Sequence, residues 1–137
     1  MIHDEKIMIL IMFLSGLLST MNLWVDKFSD IRLSLNDVYM SVMMIGWMYL
    51  LAGLYNQDNK EIVVGAVICS ITFILIRYQI FISKDQYIKG MIPHHSMALT
   101  MAKNINKKDI PIELRKLNDS IIKTQEKEID ILKRLEN

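Results

Sequence analysis

Apolar residues crowd the chain before Ser83 in three long runs, and beyond it they recur among charged residues at helical spacing. The first run, Ile7 to Val25, holds 19 residues without a charge and would be about 28 Å long as a helix, matching a bilayer core of about 30 Å. Met1 to Lys6 is not a basic leader and no small-residue cleavage site follows, so this run is expected to persist as a helix and not to be removed as a signal peptide. Asp26 to Asp37 is polar and ends in Asn36-Asp37, a suitable cap for a second uncharged run, Val38 to Tyr55. Tyr55 to Glu61 is a turn too brief for anything but antiparallel helices. The third run follows it, with Arg77 late enough for its guanidinium to snorkel to the headgroups beside Tyr78. The pattern predicts a membrane domain over 1–82 with three transmembrane helices, at about 7–25, 38–55 and 62–82.

The remainder, 83–137, reads as a helical hairpin. Ser83-Lys84-Asp85-Gln86 has the form of a capping box, and the helix it opens should run to about Asn104, kinked at Pro93, which cannot donate to the carbonyl of Lys89. A turn near Lys107-Lys108 precedes Pro111 and Glu113, which mark the start of a last helix ending near Leu135. Its expected seam is Leu114, Leu117, Ile121, Thr124, Glu128, Ile131 and Leu135. A carboxylate at Glu128 is costly there unless paired, and Gln125 stands one turn before it. The fold class is therefore all-α, three transmembrane helices followed by an antiparallel helical hairpin.

Charge and cysteine content change this picture little. The net charge of +1 and the interleaving of the later lysines with Asp and Glu argue against nucleic-acid binding, which needs a clustered basic face. Cys69, the single cysteine, lies in an apolar run and can form no internal disulfide. With three spans, Lys6 and Lys60 share one side and Lys27, Arg32, Lys84 and Lys89 the other, which by the positive-inside rule leans toward a cytoplasmic carboxyl-terminal head by a margin too small to fix its side. The expected partner is the lipid bilayer.

Candidate chemistry gathers in Gly90 to Met101. Met91, His94, Met97 and Met101 fall close to one helix face, while His95 points about a quarter-turn away. Folding the hairpin about Lys108 sets the histidines opposite roughly Ile121 and Met91 opposite roughly Gln125, so that Met91, His94, His95, Gln125 and Glu128 can converge within about one turn. Imidazole with thioether favours copper, above all Cu(I), and the carboxylate would also admit zinc or iron. The alternative is that the histidines pair with Glu128 across the hairpin while the methionines fill the seam. A second methionine stripe, Met40, Met44 and Met48, reads as packing in an apolar helix.

Asp85, Tyr87, Met91-Ile92-Pro93-His94-His95-Ser96, Ala98, Met101-Ala102, Leu114-Arg115, Leu117, Ile121-Ile122, Gln125 and Glu128-Ile129 resemble the signature of the domain-of-unknown-function family 305, a ferritin-like helical family. Tyr39-Met40, Met44, Met48, Tyr55-Asn56 and Arg77-Tyr78-Gln79 look like the membrane portion of its three-span form. The resemblance implies a four-helix bundle in which paired His and Met residues take up metal, copper being the usual proposal. Carried over, its ligands are Met91, His94, His95 and Met101, with Met97 added from the same face and Gln125 and Glu128 as partners from the second helix. A single hairpin is half of such a bundle, which implies a homodimer.

Two functions follow as expectations. One is a membrane-anchored metal-binding protein, copper preferred, that handles the ion without catalysis. The other is a structural membrane protein whose head mediates homodimerisation without metal. An enzyme is the poorer fit, since the hairpin lacks the Glu-x-x-His spacing of redox bundles and Ser96 and Thr100 have no third group placed to orient a base.

Overall fold

The computed structural model describes residues 5–136, so His3, the third histidine, and the leader expectation on residues 1–4 lie outside the described residues. Helices α1 (Glu5–Leu18), α2 (Leu35–Asn56), α3 (Asn59–Arg77), α4 (Lys84–Ile105) and α5 (Ile112–Glu136) are joined by turns, two of them short 3-10 helices at Met21–Trp24 and Phe28–Asp30. Among the described residues there is no strand. The chain forms two compact units, one from residues up to Thr20 with Leu35–Ile82, the other from Met21–Ser34 with the residues from Ser83 onward. The division drawn at 82/83 thus leaves out one exchange: the segment between α1 and α2 folds with the hairpin.

In the first unit, α1, α2 and α3 pack closely through small residues. A Cβ at Gly65 would stand 2.3 Å from the backbone nitrogen of Leu50, and one at Gly16 would stand 2.7 Å from the Cα of Ser41, so only glycine permits these approaches. Two buried hydroxyls inside the unit are satisfied within their own helices: Ser41 Oγ donates to the carbonyl of Asp37 at 2.8 Å and Thr72 Oγ1 to that of Ile68 at 2.7 Å. Asp58 caps α3 by accepting from the Lys60 amide at 2.8 Å. Three stretches, Glu5–Trp24, Leu35–Asn56 and Asn59–Arg77, have the length and composition to cross a membrane, and most of their surface faces outward, as suits an apolar solvent.

Only the second span keeps its expected bounds closely. The third helix begins earlier and stops at Arg77, five residues before 82, where the backbone turns through positive φ at Gln79 and Phe81. The first expected span, 7–25, corresponds to the stretch Glu5–Trp24, but its regular helix α1 ends at Leu18 and the apolar run continues as the 3-10 turn Met21–Trp24. The reason lies beyond the run. Asn22 Nδ2 donates to the carbonyl of Arg32 at 2.7 Å and its Oδ1 accepts from the Arg32 amide at 2.9 Å, a pair of bonds that closes 21–34 into a loop of its own.

In the second unit α4 and α5 run antiparallel, as the cross-pairs Asn106–Asn118, Lys103–Glu126 and His95–Glu128 require. Ser83 caps α4 by accepting from the Gln86 amide at 3.3 Å, and Arg115 closes its far end by donating to the carbonyls of Asn106 and Lys108. The core is Ile88, Ile92, Leu99, Ala102 and Ile129, with Pro93 fully buried inside an unbroken helix. The expected seam of α5 is corrected by one position. Leu114, Leu117, Ile131 and Leu135 are exposed, and Asn118, Gln125, Ile129 and Leu132 turn inward instead. Helix α5 meets the 21–34 segment as well as α4, through Lys133–Asp30 and Arg32–Glu136, and its buried stripe is centred between the two.

Candidate metal centre

Helix α4 presents successive histidines to different surroundings because its residues turn about 100° each. His94 is exposed, whereas the His95 side chain is 12% exposed and faces α5, with Nδ1 3.0 Å from Glu128 Oε2. The expectation brought both histidines toward the second helix; the structure sets His95 against it and leaves His94 at the side. The separation is that of a hydrogen bond, but the alignment is not, so the buried Nδ1 is held by charge proximity rather than by a directed bond. Gln125 lies close to the same ring. Burial pushes the imidazole's pKa below its ordinary value of 6.5; the Glu128 and Gln125 contacts pull the other way, while neighbouring His94 adds to the lowering. His95 is therefore neutral near pH 7 and carries a free ring lone pair.

Met91 joins this pair. It lines, with Tyr87, His95, Glu128, Ile131 and Leu132, an open cavity of about 340 Å³. The His94 ring stands edge-on to His95 with centroids 5.8 Å apart, at the rim of the cluster. Met101 lies elsewhere, in a second cavity of about 540 Å³ with Ala98, Ile105, Asn118 and Ile121, and half-buried Met97 lines neither. Of the seven residues proposed from the sequence, four converge (Met91, His95, Gln125, Glu128), His94 adjoins them, and Met97 and Met101 do not.

The donor set sets a limit on what this chain can do alone. Among the described residues no group of three or more His, Cys, Asp and Glu side chains is placed to hold a metal ion. One imidazole, one carboxylate and one thioether fit a soft or borderline cation only if a further donor comes from His94 or from outside the chain. The buried nitrogen beside a carboxylate is the feature that fits such a group. Glu128 would orient the ring and raise its basicity, and the opposite ring nitrogen would point its lone pair at the ion.

Sequence reasoning missed the residues on the other side of α4. Ser96 is fully buried; its Oγ accepts from the Asp26 amide at 2.8 Å and donates to Asp30 Oδ2 at 2.6 Å. Lys133 pairs with Asp30, Lys103 with Asp26 at 2.7 Å, and Arg32 grips Glu136 through two nitrogens at 2.7 and 2.9 Å. This network holds the back of α4 and so fixes the direction of His95 on its front. Ser96 beside the histidines was the one signal available. Its complete burial and two hydrogen bonds leave no room for the role of a nucleophile.

Residues 83–136 match the model of a domain of unknown function, DUF305. The chain is also 42% identical over 129 residues, 90% of its own length and 85% of the other's, to uncharacterized protein L153 of Acanthamoeba polyphaga mimivirus. The chain belongs to the DUF305 family. The likeness to the viral protein is much longer than the DUF305 match, so it takes in apolar helices as well as the hairpin. No solved structure matches the chain.

Proposed function

We propose that this DUF305 chain is a membrane-anchored metal-binding protein, with Cu(I) as the preferred ion, that holds or passes on the ion without catalysing a reaction. The observation that carries this reading is the convergence of Met91, His95 and Glu128 at one open cavity, with Gln125 beside the same imidazole and the His95 ring largely buried. Thioether and imidazole are soft to borderline donors and favour Cu(I) over harder cations. The ferritin-like bundle and the three-span membrane form belong to the same proposal: α1, α2 and α3 anchor the head in the bilayer, and the hairpin supplies half of a four-helix site. A second copy meeting the first across the exposed face of α5 would bring a second His95 and Met91 toward the ion. The test is competition for Cu(I) between the detergent-solubilised full chain and a chromophoric chelator. Stoichiometric binding that disappears with His95→Ala supports the proposal, and no binding above that of a metal-free control protein sinks it.

The second reading is a structural membrane protein whose head dimerises without metal. It is favoured by the exposed Leu114, Leu117, Ile131 and Leu135, an apolar stripe on α5 that water would penalise. Sizing of the full chain beside elemental analysis separates the two: a metal-free dimer supports the second, and a dimer with bound copper supports the first.

A further inference from the structure

The segment 21–34 is built inside out. Its polar side chains are spent on its own unit: Asn22 on the Arg32 backbone, Asp26 on Lys103, Asp30 on Ser96 and Lys133, and Arg32 on Glu136. Its apolar side chains are turned away from that unit. Phe28 is 91% exposed, Leu23 70% and Trp24 57%, with Ile31 and Leu33 exposed beside them. A loop that meets water places its residues the other way round, since each exposed large apolar side chain forgoes about 1.5–3 kcal/mol of burial. The network of partly buried ion pairs around the buried Asp30 fixes this orientation, so the outward apolar surface is a fixed feature and not a frayed loop.

What covers that surface follows from the chain's connections. Met21 comes three residues after Leu18, the last residue of α1, and Ser34 directly precedes Leu35, the first of α2. Helix α2 has the length and composition of a membrane span by itself, and α1 has them together with the turn that follows it, as the stretch Glu5–Trp24, so Leu23 and Trp24 stand at the end of a candidate span. A segment tied at both ends to such helices lies where they leave the bilayer. Tryptophan with apolar neighbours and an exposed lysine, Lys27, is the composition that suits the headgroup layer, where a ring can be half in lipid and an amine can meet a phosphate.

We propose that Leu23, Trp24, Phe28, Ile31 and Leu33 form a membrane-interface anchor, seated among lipid headgroups and upper acyl chains. Through the Asp26, Asp30 and Arg32 pairs this anchor holds the hairpin at the bilayer surface. The first apolar run is then not one span to Val25. It is a span followed by an interfacial turn. The inference rests on the membrane part of the proposed function and is independent of any metal.

The chain's two tryptophans make the test direct. Full-length protein carrying Trp47→Phe, which leaves Trp24 as the sole tryptophan, is reconstituted into phosphatidylcholine vesicles brominated either near the glycerol end or near the tail end of the acyl chains. Trp47→Tyr serves if the phenylalanine variant does not fold. The expected result is loss of most Trp24 emission with shallow bromines, a smaller loss with deep ones, and weak quenching by aqueous iodide. Strong iodide quenching without lipid quenching overturns the anchor. Protection from both quenchers also overturns it, since protein and not lipid would then cover the patch. Strongest quenching by deep bromines overturns it too, in favour of a span running through Trp24. The Trp24→Phe protein reports on Trp47 in α2: if its emission is quenched by deep bromines while Trp24 is not quenched, the anchor fails and the spans stand. If neither is quenched, the membrane reading falls, and the anchor with it.

Discussion

Ser96 Oγ and Asp30 Oδ2 meet at 2.6 Å in the interior of the hairpin unit, although 66 residues separate them. Both side chains are almost wholly buried, and the serine also takes the Asp26 amide proton. Replacing Ser96 by alanine leaves a buried amide without an acceptor and a buried carboxylate with one donor fewer. That should cost about 1–3 kcal/mol for the unpaired donor, and somewhat more for the charged partner. Thermal unfolding in detergent checks this. Thr100→Ala, one turn along the helix and holding only a 3.4 Å bond to the Ser96 carbonyl, should lie close to wild type; equal effects from the two variants would count against the network.

The same network gives the hairpin unit an acid limit. Burial works to raise the Asp30 pKa, but the hydrogen bonds from Lys133 and Ser96 and the nearby lysine charges outweigh it and hold the carboxyl below its ordinary 3.8. The Arg32 guanidinium likewise holds Glu136 below its ordinary 4.5. A carboxylate whose folded pKa is depressed contributes stability that is fully present above its unfolded value and disappears as pH falls through the folded one. Unfolding midpoints should therefore be flat from neutral pH down to about 5 and fall steeply below 4. Arg32→Gln should lower the plateau while leaving the low-pH end nearly unchanged, because Glu136 loses its bonus only where it is still ionised. A variant curve parallel to wild type at every pH would remove Glu136 from the account.

On the other side of α4 the two histidines should not be equivalent. His95 stands against Glu128 and beside Met91, whereas His94 is exposed at the rim. His95→Ala should abolish high-affinity Cu(I) binding, and Met91→Leu, which keeps the volume and removes the thioether, should weaken it about tenfold. Glu128→Gln keeps the shape but loses the charge behind the ring and should cost about 10–100-fold, the usual effect of an outer carboxylate. Met101→Leu should be silent, since Met101 lines a different cavity. A chelator competition series ranks all four, and a strong effect at Met101 with none at Met91 would move the site.

Much of this arrangement was legible in the sequence, and the part that was not has a common cause. Helix periodicity and capping located α2, α4 and α5 to within a few residues, because Ser83, Pro111 and the uncharged run from Val38 act through neighbours along the chain. The pairing of His95 with Glu128 was within reach of turn counting, but the choice of His95 over His94 was not. Two adjacent residues differ by 100° around a helix, and which one faces inward depends on where the helix is clamped. The clamp is Ser96 with Asp26 and Asp30, contacts across 70 and 66 residues that no local pattern announces. The register of α5 failed for the same reason. An apolar heptad at Leu114, Leu117 and Ile131 predicts the buried side only when one partner is present, and α5 has two.

That misread stripe yields its own prediction. Leu117 is 56% exposed and is not one of the buried core residues. Leu117→Glu should leave the unfolding midpoint of the detergent-solubilised monomer within about 0.5 kcal/mol of wild type, as surface substitutions do. If the stripe is a homodimer face, the same change should shift the sizing profile to monomer. A chain that remains dimeric with both Leu117→Glu and Ile131→Glu would exclude this face as the interface.

The unit of three apolar helices supplies a last prediction, at a position where the sequence showed only a small residue. A methyl group at Gly65 would stand 2.3 Å from the Leu50 nitrogen and 2.7 Å from the Gly46 carbonyl oxygen, both backbone atoms that cannot rotate aside. In an apolar solvent helices gain little from burying leucine against leucine and depend on close backbone approach. Gly65→Ala should therefore push α2 and α3 apart and destabilise the unit by about 1–3 kcal/mol, in spite of alanine's better helix propensity. Gly90→Ala makes the control, because a Cβ there would meet Ser34 at an ordinary 3.5 Å. Its expected outcome is a neutral or slightly raised midpoint, since alanine lowers the entropy lost on ordering the helix. Should Gly65→Ala prove neutral as well, the two helices would have to be looser than their glycines indicate.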